Sequence, residues 1–466
     1  MKRYKSLILA LCAILLCTAS YAARSPKYVF YFIGDGMGVN VVQLAEMYQA
    51  SLKGEVGIEP LVFSQFPVVS FGTTYSSDSD VTDSAASGTA LATGVKTKNG
   101  CLGLGPAGER LESVAEKAHK RGVKVGIVTS VGINHATPAA FYAHQAERSM
   151  FYEISLDMIA SGFEFFGGGN IERRNKLNDG TKVRDITEVM EDNGYTVVRG
   201  VEEYEARRAG ADRIVMLPSP KKGLWYQIDR IQRDTAAMRL TDLTKAAIEY
   251  LDNRKGFFLM VEGGNIDGAE HGHDGATAIY DVLDFANSVS LAYEFYKQHP
   301  SETLIIVTAD HETGGLALDP ENATDLSVLQ YQKCSQERLS SLLKKEMKSA
   351  GKSTLSWEET KAFLSEYTGL WDKVPVNWEQ EKYLRDTYEE TVAQHQAGHQ
   401  KDLYTDNALL VARAVKVLNE IARVHWTTEH SAGMVPTYAI GVGAYRFAGK
   451  MDNTLIPGLI SQIAKY

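Results

Sequence analysis

The sequence predicts an α/β fold, a three-layer α/β/α sandwich around a central, mainly parallel sheet. Short apolar runs recur along the chain, longer segments with helical spacing separate them, and acidic or histidine residues follow four of the runs. Strands that are apolar throughout are typical of a sheet covered by helices on both faces. The chain has 466 residues, of which 44% are hydrophobic and 23% charged, so it is long enough to bury a large core.

Five apolar runs of six or seven residues are predicted to be buried strands. They are YVFYFI (28–33), VGIVTS (125–130), GFFLMV (256–261), TLIIVT (303–308) and TYAIGVG (437–443). A helix is predicted over RLESVAEKAHKRG (110–122), because its apolar residues have helical spacing and Gly122 is a typical helix end.

Residues 1–22 are predicted to be a signal peptide that is removed on export to the periplasm or medium. Three cations in the first five residues precede the apolar run LILALCAILLC, and Ser20 and Ala22 stand at the −3 and −1 positions of a cleavage site. An uncleaved anchor is the alternative. No other segment is apolar enough to span a membrane. The mature chain, 23–466, is therefore predicted to form one domain without a membrane span.

The charge of the mature chain narrows its possible binding partners, and its cysteines allow at most one disulfide. Removing residues 1–22 deletes three cations and no acids, so the formal charge changes from −9 to −12. This balance argues against nucleic-acid binding through a basic surface. Cys101 and Cys334 remain after cleavage, and they either pair or are two buried thiols.

Residues 320–425 are predicted to form a helical insertion or cap region, because they are polar and rich in Glu, Lys and Gln. Ser356 and Glu359 have the spacing of a capping box, and residues 406–424 form an amphipathic helical pattern. These helices are either a solvated surface or a gate for the substrate.

The side chains that follow the predicted strands are expected to meet. In an open α/β sheet, ligands bind outside the carboxyl ends of the strands. The candidates after the first four strands are Asp35, His135, Thr137, Glu262, Asp267, His271, Asp310 and His311. His430 stands in a small-residue loop before the last strand. Asp267 and His271 lie four residues apart, on one face of a helix, whereas His273 would point elsewhere.

So many carboxylates in one region would repel each other unless cations were bound there. Mixed Asp and His ligands suit zinc, whereas carboxylate and hydroxyl oxygens suit magnesium. The sequence therefore predicts more than one metal ion.

Ser84 lies in the stretch VTDSAASGTALATG (81–94), where nearly every side chain is small. A serine hydroxyl is a weak nucleophile until a base or a metal removes its proton. Small neighbours would let the start of a helix, which favours anions, approach the metals and a bulky anion. Ser84 is therefore the candidate nucleophile.

Six motifs of this chain occur in the order and spacing of the alkaline phosphatase family, which it resembles from about Tyr28 to Gly443. They are IGDGMG, VTDSAASGTALATGVKT, NHATPAAFYAH with a following arginine, VEGGNIDGAEH, VTADHETGG and EHSAGMVP. The 320–425 region resembles the family least. The resemblance implies that the chain hydrolyses phosphate monoesters to an alcohol and inorganic phosphate through a phosphoserine, using two zinc ions and one magnesium ion.

The resemblance also implies a role for each matching residue. Ser84 matches the phosphorylated nucleophile, Arg148 the arginine that grips phosphate, and Asp83 the acid that orients the arginine. The implied ligands are Asp267, His271 and His430 for one zinc; Asp35, Asp310, His311 and Ser84 for the other; and Asp35, Thr137 and Glu262, with His135 nearby, for magnesium.

Two positions depart from the usual pattern of the family. His135 stands where some bacterial members have Asp, and Gly268 stands where many members have a Lys or His that touches phosphate through water. The alternatives are a phosphodiesterase or sulfatase with the same metal cage, and a phosphate- or metal-binding protein without turnover. Small phosphate monoesters are the expected partners, and a homodimer is one candidate assembly.

Overall fold

The computed structural model describes residues 25–219, 223–318, 325–396 and 403–466. The predicted signal peptide, residues 1–22, lies outside the described residues. Fourteen strands are found in the described part of the chain, and ten of them form one large sheet. The strands are β1 Tyr28–Gly34, β2 Val68–Thr73, β3 Lys124–Thr129, β4 Phe165–Gly167, β5 Thr196–Arg199, β6 Ile214–Leu217, β7 Phe257–Gly263, β8 Thr303–Ala309, β9 Glu312–Thr313, β10 Ala317–Leu318, β11 Val424–His425, β12 His430–Ser431, β13 Val435–Gly441 and β14 Met451–Asp452.

Helices occupy most of the chain between the strands. In the described segments they are α1 Val39–Leu52, α2 Ser84–Thr93, α3 Val114–Lys120, α4 Ala136–Ala139, α5 Phe151–Ser161, α6 Ile186–Asp192, α7 Val201–Arg207, α8 Gln227–Arg233, α9 Leu240–Leu251, α10 Asn265–His271, α11 Gly275–Gln298, α12 Gln336–Ser349, α13 Trp357–Thr368, α14 Trp378–Gln396, α15 Leu403–Ile421 and α16 Leu455–Ala464.

The large sheet is mainly parallel, as predicted. Its strand order is β14-β2-β13-β8-β1-β7-β3-β4-β6-β5, and the seven strands from β8 to β5 are mutually parallel. The first four predicted runs are four adjacent strands of this block. The fifth run lies in the sheet as β13, which is antiparallel to both of its neighbours. All residues of β1, β7 and β8 are buried.

The sheet lies between two helical layers, which confirms the three-layer fold. Alternate side chains of β1 enter different cores, with Phe30 and Phe32 on one face and Val29 and Tyr31 on the other. The first core also contains buried residues of α1, α9 and α11, and the second contains those of α2, α3 and α16. This alternation follows from the two-residue period of a strand.

The predicted helix over 110–122 is shorter in the structure, where α3 covers Val114–Lys120. Ser113 is its N-cap, because its hydroxyl accepts from the Glu116 amide and the Glu116 carboxylate accepts from the Ser113 amide. This capping box stabilises a helix start at residue 114 and excludes residues 110–113. Gly122 has φ +74° just after the helix, as expected for a residue that ends one.

The described part of 320–425 is helical, and α15 packs against α12, α13 and α14. Its buried residues, Leu339, Leu364 and Leu418 among them, join the core on one face of the sheet. The predicted capping box is present, with the Glu359 amide donating to the Ser356 hydroxyl. The predicted amphipathic helix is α15. A role of these helices as a substrate gate stays a prediction.

Two buried aspartates outside this region fix the start of α12. The Ser335 amide donates to Asp229 at 2.8 Å, and the Gln336 amide donates to Asp274 at 2.8 Å. A carboxylate at a helix N-terminus is favoured by the helix dipole. These bonds hold α12 beside α8 and the start of α11, whose N-cap is Asp274. Within the four described ranges, no helix combines the length and apolarity needed to cross a bilayer.

Candidate active site and metal centre

Ser84 is the first residue of α2, at the carboxyl edge of the sheet, and only 2% of it is exposed. Asp83 caps the helix by accepting from the Ala86 amide at 3.0 Å. The small side chains allow close packing, because a Cβ at Gly88 would lie 3.2 Å from the Thr137 Cα on α4. The bare stretch therefore lets α2 approach the loops that carry the acids and histidines.

The first group of predicted ligands surrounds the Ser84 hydroxyl. The His311 Nε2 lies 3.2 Å from Ser84 Oγ, 3.3 Å from Asp35 Oδ1 and 3.4 Å from Asp310 Oδ2. Asp35 follows β1 and Asp310 follows β8, and these strands are parallel neighbours, so both carboxylates emerge at the same edge. One ligand atom from each of Asp35, Asp310 and His311 lies within 4.8 Å of the others.

A second group contains Asp267, His271 and His430. Nε2 of His271 lies 3.4 Å from Asp267 Oδ2 and 3.0 Å from Nε2 of His430, which is 3.7 Å from Asp267 Oδ1. Asp267 and His271 share a face of α10, as their spacing predicted. His430 lies on β12, whose pairing with β9 brings it to the site. His273 lies beyond α10 with its Nε2 3.0 Å from the Thr428 carbonyl, away from this group.

A third group contains Asp35, His135 and Glu262, with ligand atoms mutually within 4.8 Å. Thr137 is adjacent, since its hydroxyl donates to Asp310 Oδ2 at 3.3 Å. Glu262 Oε1 and His135 Nδ1 are buried, and neither has a hydrogen-bond partner among the described residues. A buried polar atom without a partner is costly, so both atoms fit a site completed by a cation and its water.

The pKa values show that these groups are crowded when no cation offsets their charge. Burial, with the charge of Asp310 added, raises the pKa of Asp35 well above its ordinary value, and burial raises that of Glu262 to about 7. Burial also lowers the pKa of His135 to about 4, so its ring is neutral at pH 7. A neutral imidazole is the form that binds metal ions.

In the second group, Asp267 and His271 are a pair in which each residue favours the charged form of the other. Although burial disfavours its charge, hydrogen bonding to His271 holds the pKa of Asp267 below its ordinary value. The same hydrogen bond raises the pKa of His271. His430 shows the opposite shift, because burial and the nearby His311 lower its pKa.

Arg148 stands beside the start of α2. Its Nη1 donates to Asp83 Oδ2 at 3.0 Å, and its amide donates to the Gly100 carbonyl at 2.7 Å. Asp83 is itself held by Asn99, whose side-chain oxygen accepts from the Asp83 amide at 3.1 Å. The Arg148 side chain is 30% exposed, and its bond to Asp83 places the guanidinium close to the Ser84 end of the helix.

The structure thus brings together all of the residues that the sequence singled out for the site. It also adds residues that the sequence did not indicate. The Thr313 hydroxyl donates to Asp267 Oδ1 at 2.7 Å and lies 3.1 Å from His311 Nδ1, so it links two ligand groups. The Thr129 hydroxyl donates to Glu262 Oε2. A threonine two residues after a histidine has no distinctive spacing, so motif reasoning could not find it.

Gly268 also has a structural reason to lack a side chain. A Cβ built on it would lie 2.6 Å from the Tyr226 hydroxyl oxygen, closer than such atoms approach. Tyr226, which precedes α8, therefore occupies the space that a side chain at position 268 would need. Cys101 and Cys334 are free thiols, so the disulfide alternative is wrong; Cys334 is buried and Cys101 half-buried.

Known proteins resemble this chain along nearly its whole length. The model of the alkaline phosphatase family matches residues 26–172 and 164–466. Alkaline phosphatase 4 of Bacillus subtilis (strain 168) is 31% identical over 457 residues, covering 94% of this chain and 89% of the relative. A cold-active alkaline phosphatase from a psychrophilic Shewanella sp. has a TM-score of 0.76 and 27% identity, covering 94% of this chain and 99% of that one. The Thermus thermophilus alkaline phosphatase also has a TM-score of 0.76, with 26% identity, covering 95% and 92%.

The fold and the relatives define this protein as a phosphatase. The loops that carry its candidate metal ligands lie at the carboxyl edge of the parallel strands. The chain belongs to the alkaline phosphatase family, whose members depend on metal ions.

Proposed function

We propose that this protein hydrolyses phosphate monoesters in two displacements, with Ser84 as the nucleophile. The Ser84 oxygen forms a bond to phosphorus while the ester oxygen leaves and takes up a proton as the alcohol. Water then attacks the phosphoserine, the bond to Ser84 breaks, and inorganic phosphate is released. One observation carries the proposal: a buried serine hydroxyl at a helix start lies 3.2 Å from His311, whose ring belongs to two groups of potential metal ligands, one with Asp35 and Asp310 and one with Asp267 and His430.

Two zinc ions and one magnesium ion are the proposed cofactors. Asp267, His271 and His430 would hold one zinc ion; Asp35, Asp310, His311 and Ser84 would hold the other; and Asp35, Thr137, Glu262 and His135 would surround magnesium. When bound, these ions supply Lewis-acid stabilisation of the attacking and leaving oxygens and lower the pKa of hydroxyl groups and water. The unpartnered Glu262 Oε1 and His135 Nδ1 support this placement.

Arg148 is proposed to bind two non-bridging oxygens of the phosphate through the planar edge of its guanidinium. Its hydrogen bond to Asp83 limits the orientations of that group before the substrate arrives. The N-terminus of α2 favours the same anion, because its first amides and the helix dipole point toward it. A phosphodiester offers one fewer charged oxygen, so Arg148 favours monoesters over diesters.

The proposed function is tested by measuring kcat/KM for a phosphate monoester, a phosphate diester and a sulfate ester with one leaving group. Metals in the purified protein are quantified by mass spectrometry in the same samples, and Ser84→Ala is the control. We expect the monoester to be the best substrate, with zinc and magnesium bound. A preference for the diester or the sulfate ester would select those alternatives, and metal or phosphate binding without turnover would select a binding protein.

We also propose that residues 1–22 direct export, so that the mature enzyme is periplasmic or secreted and begins at residue 23. The basic start, the apolar run and the small residues at −3 and −1 support this. N-terminal sequencing of the protein recovered outside the cytoplasm checks it, and a chain that keeps residue 1 would contradict it. A homodimer is the proposed assembly, which light scattering of the purified protein measures.

A further inference from the structure

A groove runs along one side of α10, the helix that carries Asp267 and His271. It consists of two adjoining cavities of about 350 and 480 Å³. Residues of the segment around α8 and of α12 form its other wall, and both cavities are lined by Tyr226, Glu337 and Ser341. On the α10 side the larger cavity reaches Gly268 and Gly272. The groove therefore leads along the helix that presents two of the proposed zinc ligands.

Two arginines line the smaller cavity from opposite walls, Arg233 at the end of α8 and Arg338 in the first turn of α12. Arg233 lies over the Trp225 ring, with its guanidinium carbon 3.6 Å from the ring centroid. Burial and the charge of Arg338 lower the pKa of Arg233, so the two cations are close enough to repel each other. Within the described residues, no ion pair joins either guanidinium to a carboxylate.

The acids of this cavity offset the arginines only in part, because the charge of Asp229 raises the pKa of Arg233 by less than burial and Arg338 lower it. Both oxygens of Asp229 accept hydrogen bonds from Ser335, at 2.8 Å from its amide and 2.7 Å from its hydroxyl. Glu337 lies in the first turn of α12, where its charge is favoured by the helix dipole. Two mutually repelling guanidinium groups at an open cavity favour an anion between them, since arginine binds phosphate and carboxylate through paired N–H donors.

We propose that Arg233 and Arg338 form a subsite for a second anionic group, a phosphate or a carboxylate, on the alcohol part of the substrate. This inference rests on the proposed function, because it requires phosphate monoester hydrolysis at Ser84. The groove borders the proposed metal centre, because it follows α10 for about 10 Å at 1.5 Å per residue and is lined by Gly268 and Gly272, the neighbours in sequence of Asp267 and His271. The preferred substrates are thus small monoesters with a second negative charge a few bonds from the reacting phosphate.

The test compares substrates that differ only in the remote group. Butane-1,4-diol bisphosphate and 3-carboxypropyl phosphate each carry a second anion, whereas 4-hydroxybutyl phosphate does not. Values of kcat/KM are measured for the metal-loaded enzyme in excess magnesium, and the bisphosphate value is halved for its two equivalent phosphates. We expect at least one anionic substrate to exceed the hydroxybutyl ester by about tenfold, as for a charge-assisted hydrogen bond. The preferred remote group distinguishes phosphate from carboxylate.

The variants Arg233→Gln and Arg338→Gln should each remove most of this preference and change kcat/KM for 4-hydroxybutyl phosphate by less than about twofold. Arg233→Lys keeps the charge and should retain part of the preference, which separates charge loss from misfolding. Arg446→Gln, at a partly exposed arginine that follows β13 and does not line the groove, is the matched control and should change nothing.

Three results would overturn the subsite. They are equal rates for all three substrates in the unmodified enzyme, a parallel loss for all substrates in the glutamine variants, and an equal loss in Arg446→Gln. The enzyme would then still hydrolyse 4-hydroxybutyl phosphate, and the proposed function would stand. If no monoester is hydrolysed by the metal-loaded enzyme, both proposals fail.

Discussion

Asp83 performs two tasks that a substitution can separate. Its carboxylate caps α2 through the Ala86 amide and orients Arg148 through a bond of 3.0 Å. In Asp83→Asn the side-chain oxygen still caps the helix, because Asn and Asp are equally good N-caps, but the ion pair with Arg148 is lost. The variant is therefore expected to affect phosphate binding more than stability.

The size of the effect follows from the exposure and geometry of the pair. Arg148 and Asp83 are 30% and 21% exposed, and one hydrogen bond joins them, so we assign the pair about 1 kcal/mol. Without this ion pair, the guanidinium must be ordered when phosphate binds. A loss of about 1 kcal/mol weakens phosphate binding about fivefold, because about 1.4 kcal/mol corresponds to a tenfold change. Asp83→Ala also removes the cap and should cost about 1 kcal/mol more of unfolding free energy.

The assay is competitive inhibition of monoester hydrolysis by inorganic phosphate, with melting temperatures of the metal-loaded proteins measured in parallel. Asp185→Asn is a matched control, because Asp185 also caps a helix, α6, and pairs with an arginine, Arg174, at 2.9 Å. It should leave phosphate inhibition unchanged. An unchanged inhibition constant in Asp83→Asn, or an equal rise in Asp185→Asn, would refute the orienting role of Asp83.

Three further predictions concern the metal groups. Thr313→Val should weaken metal affinity about 10- to 100-fold in chelator competition, because it removes bonds to two proposed ligands, whereas Thr308→Val, buried on β8, should not. His135→Asp should shift the competition of magnesium with excess zinc toward magnesium, since it replaces a neutral nitrogen ligand with a charged oxygen ligand; metal titration with bound ions counted checks this, and an unchanged competition contradicts it. Burial raises the pKa of Glu262 from about 4.5 to about 7. In protein stripped of metal by a chelator, the folded state therefore keeps a proton that the unfolded state has released, and the stability this gives is lost as pH rises through that range. The melting temperature of chelated protein should fall over this window, and less steeply in Glu262→Gln; equal slopes would contradict the assignment.

The sequence predicted the sheet and the meeting of the site residues because both depend on local patterns. Apolar runs located four of the seven parallel strands, and the acids and histidines directly follow these four. The carboxyl ends of parallel neighbours share an edge, so Asp35, Glu262 and Asp310 had to meet. The resemblance supplied the role of Arg148, whose own surroundings in the sequence are ordinary.

The remaining features depend on contacts between distant segments, which have no periodic pattern. Tyr226 fills the space at Gly268 from about 40 residues away, and the β12–β9 pairing that places His430 joins two-residue strands. The start of α3 was predicted too early. Residues 110–113 have suitable helical spacing, but the cap at Ser113 makes the helix begin at residue 114. Arg233 and Arg338 come from distant segments but line one cavity, beside which Asp229 and Asp274 anchor α12.

The central claim is that Ser84 carries the phosphoryl group, and trapping that group tests it most directly. The metal-loaded enzyme is incubated briefly with a labelled phosphate monoester at mildly acid pH, quenched in acid, digested and mapped by mass spectrometry. Ser87, three residues further along α2, is an internal control, because its hydroxyl donates to the Asp310 carbonyl. We expect label on Ser84 and none in Ser84→Ala, which should also be inactive. Label on another residue, or full activity of Ser84→Ala, would contradict the account.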